Sequence, residues 1–298
     1  MENLIDTNFI GGIFAIISAF LWALGTVLLK KIERNFSPVL FNIIKSIIVL
    51  FCFGILLLIV RPRPITFESV LFLAIAGILT NTFGDTIYIS ALKRLSPKIV
   101  VILSNLIPVF TVFLALVILR ERPSHIAWLG IILTIFGITW VMWVKSFEQR
   151  KESSDFISGI KLGCLSIFFY SSSIIISKIA LFTVSSLQAG FFRNLFGFLG
   201  LCCWGAKTIQ SEDWRGTLTD YKLMKQFFIV SFFSAVLGTW FCLLGLKFAD
   251  ASIATVLNST SPLFVLPLSS FFLKESISFH SIFGAIISVI GVCLILLN

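Results

Sequence analysis

The chain has 298 residues, 58% of them hydrophobic and 12% charged, with a mean hydropathy of +1.05 and a formal net charge of +9. Soluble domains carry about 25% charged residues, so this composition excludes an ordinary soluble protein and points to a polytopic membrane protein. The lysines and arginines punctuate apolar runs and form no basic patch interleaved with aromatics. That pattern excludes nucleic-acid binding and reads as juxtamembrane anchoring and orientation.

A helical span needs about 20 mostly apolar residues to cross about 30 Å of hydrocarbon. Ten stretches qualify: 10–29, 38–60, 69–91, 98–119, 126–144, 159–177, 186–206, 226–246, 252–273 and 281–297. The first follows acidic Glu2 and Asp6, with no basic n-region and no small-x-small cleavage site, so it reads as part of the fold and not as a signal peptide. Ser18, Trp22 and Gly25 form a stripe on it. The second span embeds Lys45. The third holds Asp85, the one acidic residue well inside a span, where insertion costs about 2.5–3.5 kcal/mol. Asn81, Asp85 and Tyr88 lie at i, i+4 and i+7, one helical face that should turn into the bundle. Lys45 and Asp85 fall at similar depth from the same membrane side, so an ion pair is expected between them.

The fourth span has Ser104 and Asn105 ahead of Pro108, and it runs out at Glu121 between Arg120 and Arg122. The sixth carries Ser166, Tyr170, Ser173 and Ser177, and the seventh embeds Arg193. In the ninth, Asn258 and Ser259 precede Pro262. A proline frees the carbonyl four residues back, so Ser104, Asn105, Asn258 and Ser259 suit a polar cavity wall. Such hydroxyl stripes and prolines also serve as interhelical glue and simple kinks. Glu121 and Glu275, beside basic residues, are expected to anchor or pair at the membrane interface. The six cysteines all lie in spans and have no metal-type spacing, so free thiols are expected. No nucleophile elbow, Walker loop or His/Cys/acid cluster occurs. The sequence therefore implies no enzyme activity, no cofactor and no metal.

The second half retraces the first. "SNLIPVFTVFLALVILRE" (104–121) and "NSTSPLFVLPLSSFFLKE" (258–275) place proline, phenylalanine, two leucines and a terminal glutamate at the same offsets. At an offset of 154, Gly84 matches Gly238, Lys93 matches Lys247, Glu121 matches Glu275, Gly130 matches Gly284 and Gly137 matches Gly291. Upstream the offset is 148: Ser18 matches Ser166, Lys30 matches Lys178 and Lys45 matches Arg193. Two repeats, 1–148 and 149–298, explain this. Each has five spans, an odd number, so the second enters from the opposite side. The expected fold is an all-α integral membrane protein of ten transmembrane helices in two inverted five-helix repeats. Inverted repeats are a transporter signature, with the site at mid-membrane where the repeats meet.

"ALKRLSPKIVVILSNLIPVFTVFLALVILRERPSHIAWLGIILTIFGI" and "GLKFADASIATVLNSTSPLFVLPLSSFFLKESISFHSIFGAIISVIGV" share a further pattern. A helix ends in Ala/Gly-Leu-basic, a proline-centred helix ends in Glu, and glycines follow at seven-residue spacing. This resembles the EamA domain of the drug/metabolite transporter superfamily, in both halves. The resemblance implies a secondary transporter, working by alternating access, that exports small polar metabolites such as amino acids. It also implies a multi-pass protein of the cell (inner) membrane. Partners are then a small-molecule substrate and the lipid bilayer, with the glycine-bearing fifth and tenth helices able to form a homodimer. The family implies cytoplasmic termini, whereas the excess of basic residues in odd-numbered loops places both termini outside. A passive channel or a non-transporting scaffold is the competing class.

Candidate substrate-contacting residues are Trp22, Lys45, Asn81, Asp85, Tyr88, Ser104, Asn105, Tyr170, Arg193, Asn258 and Ser259. The repeat match of Asp85 is Thr239, so Arg193 lacks an acid within its own repeat. A substrate carboxylate is the expected anion for it, with snorkelling to the interface and helix-end carbonyls as the plain alternatives.

Overall fold

A computed structural model describes residues 2–30, 32, 38–60, 64–92, 94, 106–144, 155–209, 218–274 and 279–297. Among them all regular structure is helical. In the first repeat lie α1 (Glu2–Lys30), α2 (Pro38–Ile59), α3 (Phe67–Gly77), a π turn π1 (Ile78–Gly84), α4 (Asp85–Leu92), α5 (Leu106–Leu114), π2 (Ala115–Leu119) and α6 (His125–Val144). In the second lie α7 (Asp155–Leu181), α8 (Ser186–Ile209), α9 (Tyr221–Ser231), π3 (Phe232–Leu237), α10 (Gly238–Phe248), α11 (Ala251–Asn258), α12 (Ser261–Leu273) and α13 (Phe279–Leu296).

The apolar runs dictate these elements, and local chemistry trims them. The Thr66 hydroxyl accepts the Ser69 N–H at 3.3 Å and starts α3; the Asp220 carboxylate accepts the Leu223 N–H at 3.1 Å and starts α9. Arg120 and Lys274, 154 residues apart, both take the left-handed conformation at φ 55° and stop π2 and α12. Six of the described apolar helices are long enough to cross a membrane, and three further apolar stretches, Leu106–Leu119, His125–Trp140 and Ile282–Leu296, are shorter.

Two expectations of unbroken helix give way. The stretch 252–273 divides into α11 and α12, because Pro262 has no N–H for the Asn258 carbonyl. The Thr260 N–H and hydroxyl both turn onto the Leu257 carbonyl instead, at 3.2 and 2.6 Å. The third and eighth spans each widen into a π turn, π1 and π3, at matching places in the two repeats. Within π1 the Asp85 N–H reaches five residues back to the Thr80 carbonyl.

The repeats exchange partners. α1 packs on π3 and α10 of the second repeat, and α7 packs on α3, π1 and α4 of the first. Helices that match across the repeat also pair directly: α2 with α8, and α6 with α13. In the α6–α13 pair, a Cβ on Gly130 would fall 2.7 Å from the Gly291 carbonyl, and one on Gly137 would fall 2.6 Å from that of Gly284. Residue number rises along one helix as it falls along the other, so the pair is antiparallel. A two-fold axis across the helices requires that arrangement, so the repeats are inverted. The glycine faces of these two helices are thereby used within the chain. A contact between copies would have to use their outer faces, where Leu129, Phe136, Phe283 and Ile290 are exposed.

Candidate functional site

Between the repeats lies a cavity of about 610 Å³, within the range of small-molecule sites. It runs from Leu29 and Phe41, at the end where α1 stops and α2 begins, to Leu246 near the end of α10.

One wall is built by α7 against π1 and α4. The Ser166 hydroxyl donates to the Gly84 carbonyl at 3.0 Å. One turn further on, the Tyr170 hydroxyl donates to the Asp85 carboxylate. The π turn sets the geometry: it carries Thr80 and Asp85 onto the cavity together. Such widened turns recur at functional sites. The opposite wall is built by α1 against π3 and α10, and it repeats the pattern. The Ser18 hydroxyl donates to the Gly238 carbonyl at 2.7 Å, and Trp22, one turn on, lies over Gly238 where a Cβ would come within 2.6 Å of its Nε1.

Arg193 enters from α8. Its Nη2 donates to the Thr80 hydroxyl at 3.0 Å. Thr80 bonds in turn to the Ala76 carbonyl at 3.0 Å and to Ser173, whose hydroxyl also reaches the Ala76 carbonyl at 2.7 Å. Thr80 is the only side chain among the described residues that takes a hydrogen bond from the guanidinium. Asp85 lies within electrostatic range of it. Arg193 therefore has a carboxylate nearby after all, supplied by the other repeat.

Of the residues singled out in the sequence, Trp22, Lys45, Asn81, Asp85, Tyr170, Arg193, Asn258 and Ser259 line this one cavity. Tyr88 does not line it, although it lies within electrostatic range of Tyr170. Tyr88 lies three residues beyond Asp85 in the regular helix α4, about 60° around its axis, which turns it off the cavity face. Ser104 and Asn105 fall outside the described residues. Lys45 and Asp85 share the cavity but form no ion pair: the Lys45 amine donates to Asn42 one turn back on its own helix, at 2.8 Å, and Asp85 is held by Tyr170. Equal depth does not fix which way two helices turn their side chains. Asn258 donates to the Cys242 sulfur at 3.2 Å, and its Oδ1 is buried with no partner among the described residues.

The EamA-like transporter family matches residues 9–143 and again residues 157–297. The chain belongs to that family. Protein LicB of Haemophilus influenzae is 28% identical over 189 residues, 61% of this chain and 63% of its own. An uncharacterized transporter of Clostridium kluyveri is 31% identical over 50% of this chain and 47% of its own. These two matches thus span about three fifths and about half of the relatives' lengths. An uncharacterized transporter of Archaeoglobus fulgidus is 24% identical over 96% of this chain and 97% of its own. A crystal structure with 16% identity superposes on 95% of each chain with a TM-score of 0.75, so the two share a fold.

In this EamA-like transporter Glu121 reaches across to the second repeat. Its carboxylate accepts the Ala251 N–H at 2.6 Å and the Ser252 N–H and hydroxyl at 3.0 and 2.6 Å, at the start of α11. Glu275 lies outside the described residues. Sequence reasoning also passed over Lys178, which is buried and donates to the Leu246 and Ala249 carbonyls at 2.7 and 2.6 Å. The recurrence of lysine at 30 and 178 was the available signal. Asp250, in the turn between α10 and α11, has its carboxyl held above the ordinary carboxylate value. Burial is the main cause and the nearby Glu121 charge the second, while Lys178 and Asn8 act in the opposite direction.

Proposed function

We propose that this EamA-like transporter is a secondary transporter of a small amphipathic metabolite bearing a carboxylate, an amino acid in the simplest case. It moves the solute by alternating access between the two repeats, in the export direction that the family resemblance suggests, across the cell membrane. The observation that carries this reading is Arg193. Its guanidinium reaches the cavity with a single neutral hydroxyl as hydrogen-bond partner among the described residues, leaving most of its donor fork for an anion. Asp85, held by Tyr170, stands in range to receive a substrate ammonium, and Trp22 and Ile174 supply apolar cavity surface. Described charged side chains on the cavity are Lys45, Arg193 and Asp85, one positive charge in excess, which suits a carboxylate.

Uptake into proteoliposomes of a panel of amino acids, with their carboxamides alongside, tests this. Saturable uptake of acids over carboxamides is expected. Non-saturating conduction would make the protein a channel, and no flux of any solute in folded protein would make it a scaffold.

A further inference from the structure

Beside the cavity, a cluster of polar contacts between helices lies at one end of the bundle. There α7 stops, α8 starts, and α10 turns into α11. The turn is gripped from several sides. Lys178 of α7 holds the carbonyls of Leu246 and Ala249. Glu121 of the first repeat takes the first two N–H groups of α11 and the Ser252 hydroxyl. Lys247 donates to the Val184 carbonyl at 2.7 Å, and the Asp250 N–H donates to Asn8 of α1 at 3.0 Å. Leu246 belongs to both systems: it lines the cavity, and its carbonyl is bound by Lys178. The cavity reaches the opposite end at Leu29 and Phe41. The gripped turn is thus the floor of a cavity that extends to the other end.

We propose that Glu121 and Lys178 form a latch that holds this end of the transport cavity shut and sets which end of it is accessible. The proposal rests on the alternating-access reading above. The chemistry suits a reversible closure. The contacts are between charged side chains and backbone groups, strong when dry. Each charged group regains water when the end opens, so the net stabilisation per contact is modest. Glu121 also faces the positive end of α11, which favours its carboxylate there. Glu121 grips the turn across the boundary between the repeats, and Lys178 fixes the same turn to α7 within the second repeat, so opening this end requires the Glu121 contacts to let go of a turn that Lys178 presents.

The test uses Cys242, the cavity thiol, in a chain whose Cys52, Cys164, Cys202, Cys203 and Cys293 are replaced by alanine. Membrane vesicles of both orientations are treated with a charged, impermeant thiol reagent, so that each end is probed separately. In the otherwise unaltered protein, labelling proceeds mainly from the α1–α2 end. Glu121→Gln should raise the labelling rate from the latched end about ten-fold and lower it from the other, as expected for a lost hydrogen-bond set to a charged group. Ser252→Ala removes one contact and leaves the lysine and the glutamate in place. It should shift labelling in the same direction by about three-fold, which keeps the test decisive if the stronger variant fails to fold. Unchanged labelling from the latched end in Ser252→Ala, or an equal rise from both ends, would show a static staple and overturn the latch. Labelling requires no transported solute. A reciprocal shift without carboxylate transport would therefore retain the latch and remove the substrate reading alone.

Discussion

On the α1 wall of the cavity, Ser18 bonds the Gly238 carbonyl and Trp22 covers Gly238; on the α7 wall, Ser166 bonds the Gly84 carbonyl and Tyr170 meets Asp85. The serine and the glycine that seat one repeat on the other are the same in both walls. The groups turned to the cavity differ: Trp22 against Tyr170, Thr239 against Asp85, Lys45 against Arg193. The repeat thus keeps the contacts that fix helix separation and varies the charge. A pseudo-symmetric scaffold acquires one polar, acid-bearing wall and one largely neutral wall, and a zwitterionic solute would meet them unequally. Lys45 and Arg193 make the point sharply, since they occupy matching positions. The Lys45 amine is taken by Asn42 of its own helix, while Arg193 stands against Gly190 at the matching position and reaches across to Thr80 of the other repeat.

That asymmetry yields predictions of decreasing size. Arg193→Gln should lower kcat/KM for a carboxylate solute by about 30-fold or more, the scale for truncating one partner of a buried charged contact. Lys45→Gln should lower it only a few-fold, because its ammonium, held by Asn42 of its own helix, is a point charge with no planar fork to offer a carboxylate. Initial uptake rates in proteoliposomes measure both, and equal losses would erase the distinction between the two cations. Next, Tyr170→Phe removes the hydroxyl that Asp85 accepts, and a hydrogen bond to a charged group contributes about 1.5–3 kcal/mol. About ten-fold slower uptake is expected, against a change within about three-fold for Trp22→Phe, whose indole role is to fill space.

How much of this was legible in the sequence depends on what each inference required. The spans and the repeat were legible because burial in lipid dictates long apolar runs and because matched glycines, prolines and lysines recur at fixed offsets. The antiparallel α6–α13 pairing realises the inverted relation inferred from five spans per half. The Lys45–Asp85 pair was not a safe reading, because depth along a helix says nothing of rotation about it. The π turn at Ile78–Gly84 compounds this, since it changes the angular step that a stripe of Asn81, Asp85 and Tyr88 assumes. Thr80, the residue that holds Arg193, was hidden for the same reason: five residues before Asp85, it falls off any 3.6-period face. Glu121 looked like a surface anchor between two arginines, and only the three-dimensional approach of α11 reveals what its carboxylate binds.

A smaller effect is expected at Asp250, whose repeat match is Ser96. Its carboxyl is raised above the ordinary value of 3.8, mainly by burial. The folded chain therefore binds this proton more tightly than the unfolded chain. Stability from this group rises as pH falls from neutral through the raised value, and the gain is complete below the ordinary one. Asp250→Asn should remove that increment from a plot of Tm against pH in detergent, with little change in uptake at neutral pH. A wild-type increment retained in the variant would assign it to another group. Smallest of all, Ser18→Ala and Ser166→Ala should each destabilise by about 0.6 kcal/mol, the scale of interhelical hydroxyl bonds in membranes. Near-equal shifts in Tm would support the shared scaffold role, and a large inequality would break the symmetry at its base.

The most direct measurement of the central claim compares an amino acid with its carboxamide in wild-type and Arg193→Gln proteoliposomes. The account predicts saturable uptake of the acid by the wild type, little uptake of the carboxamide, and a fall of the acid to the carboxamide's level in the variant. Equal loss for both solutes in a folded variant, or acid uptake that survives the substitution, would contradict it.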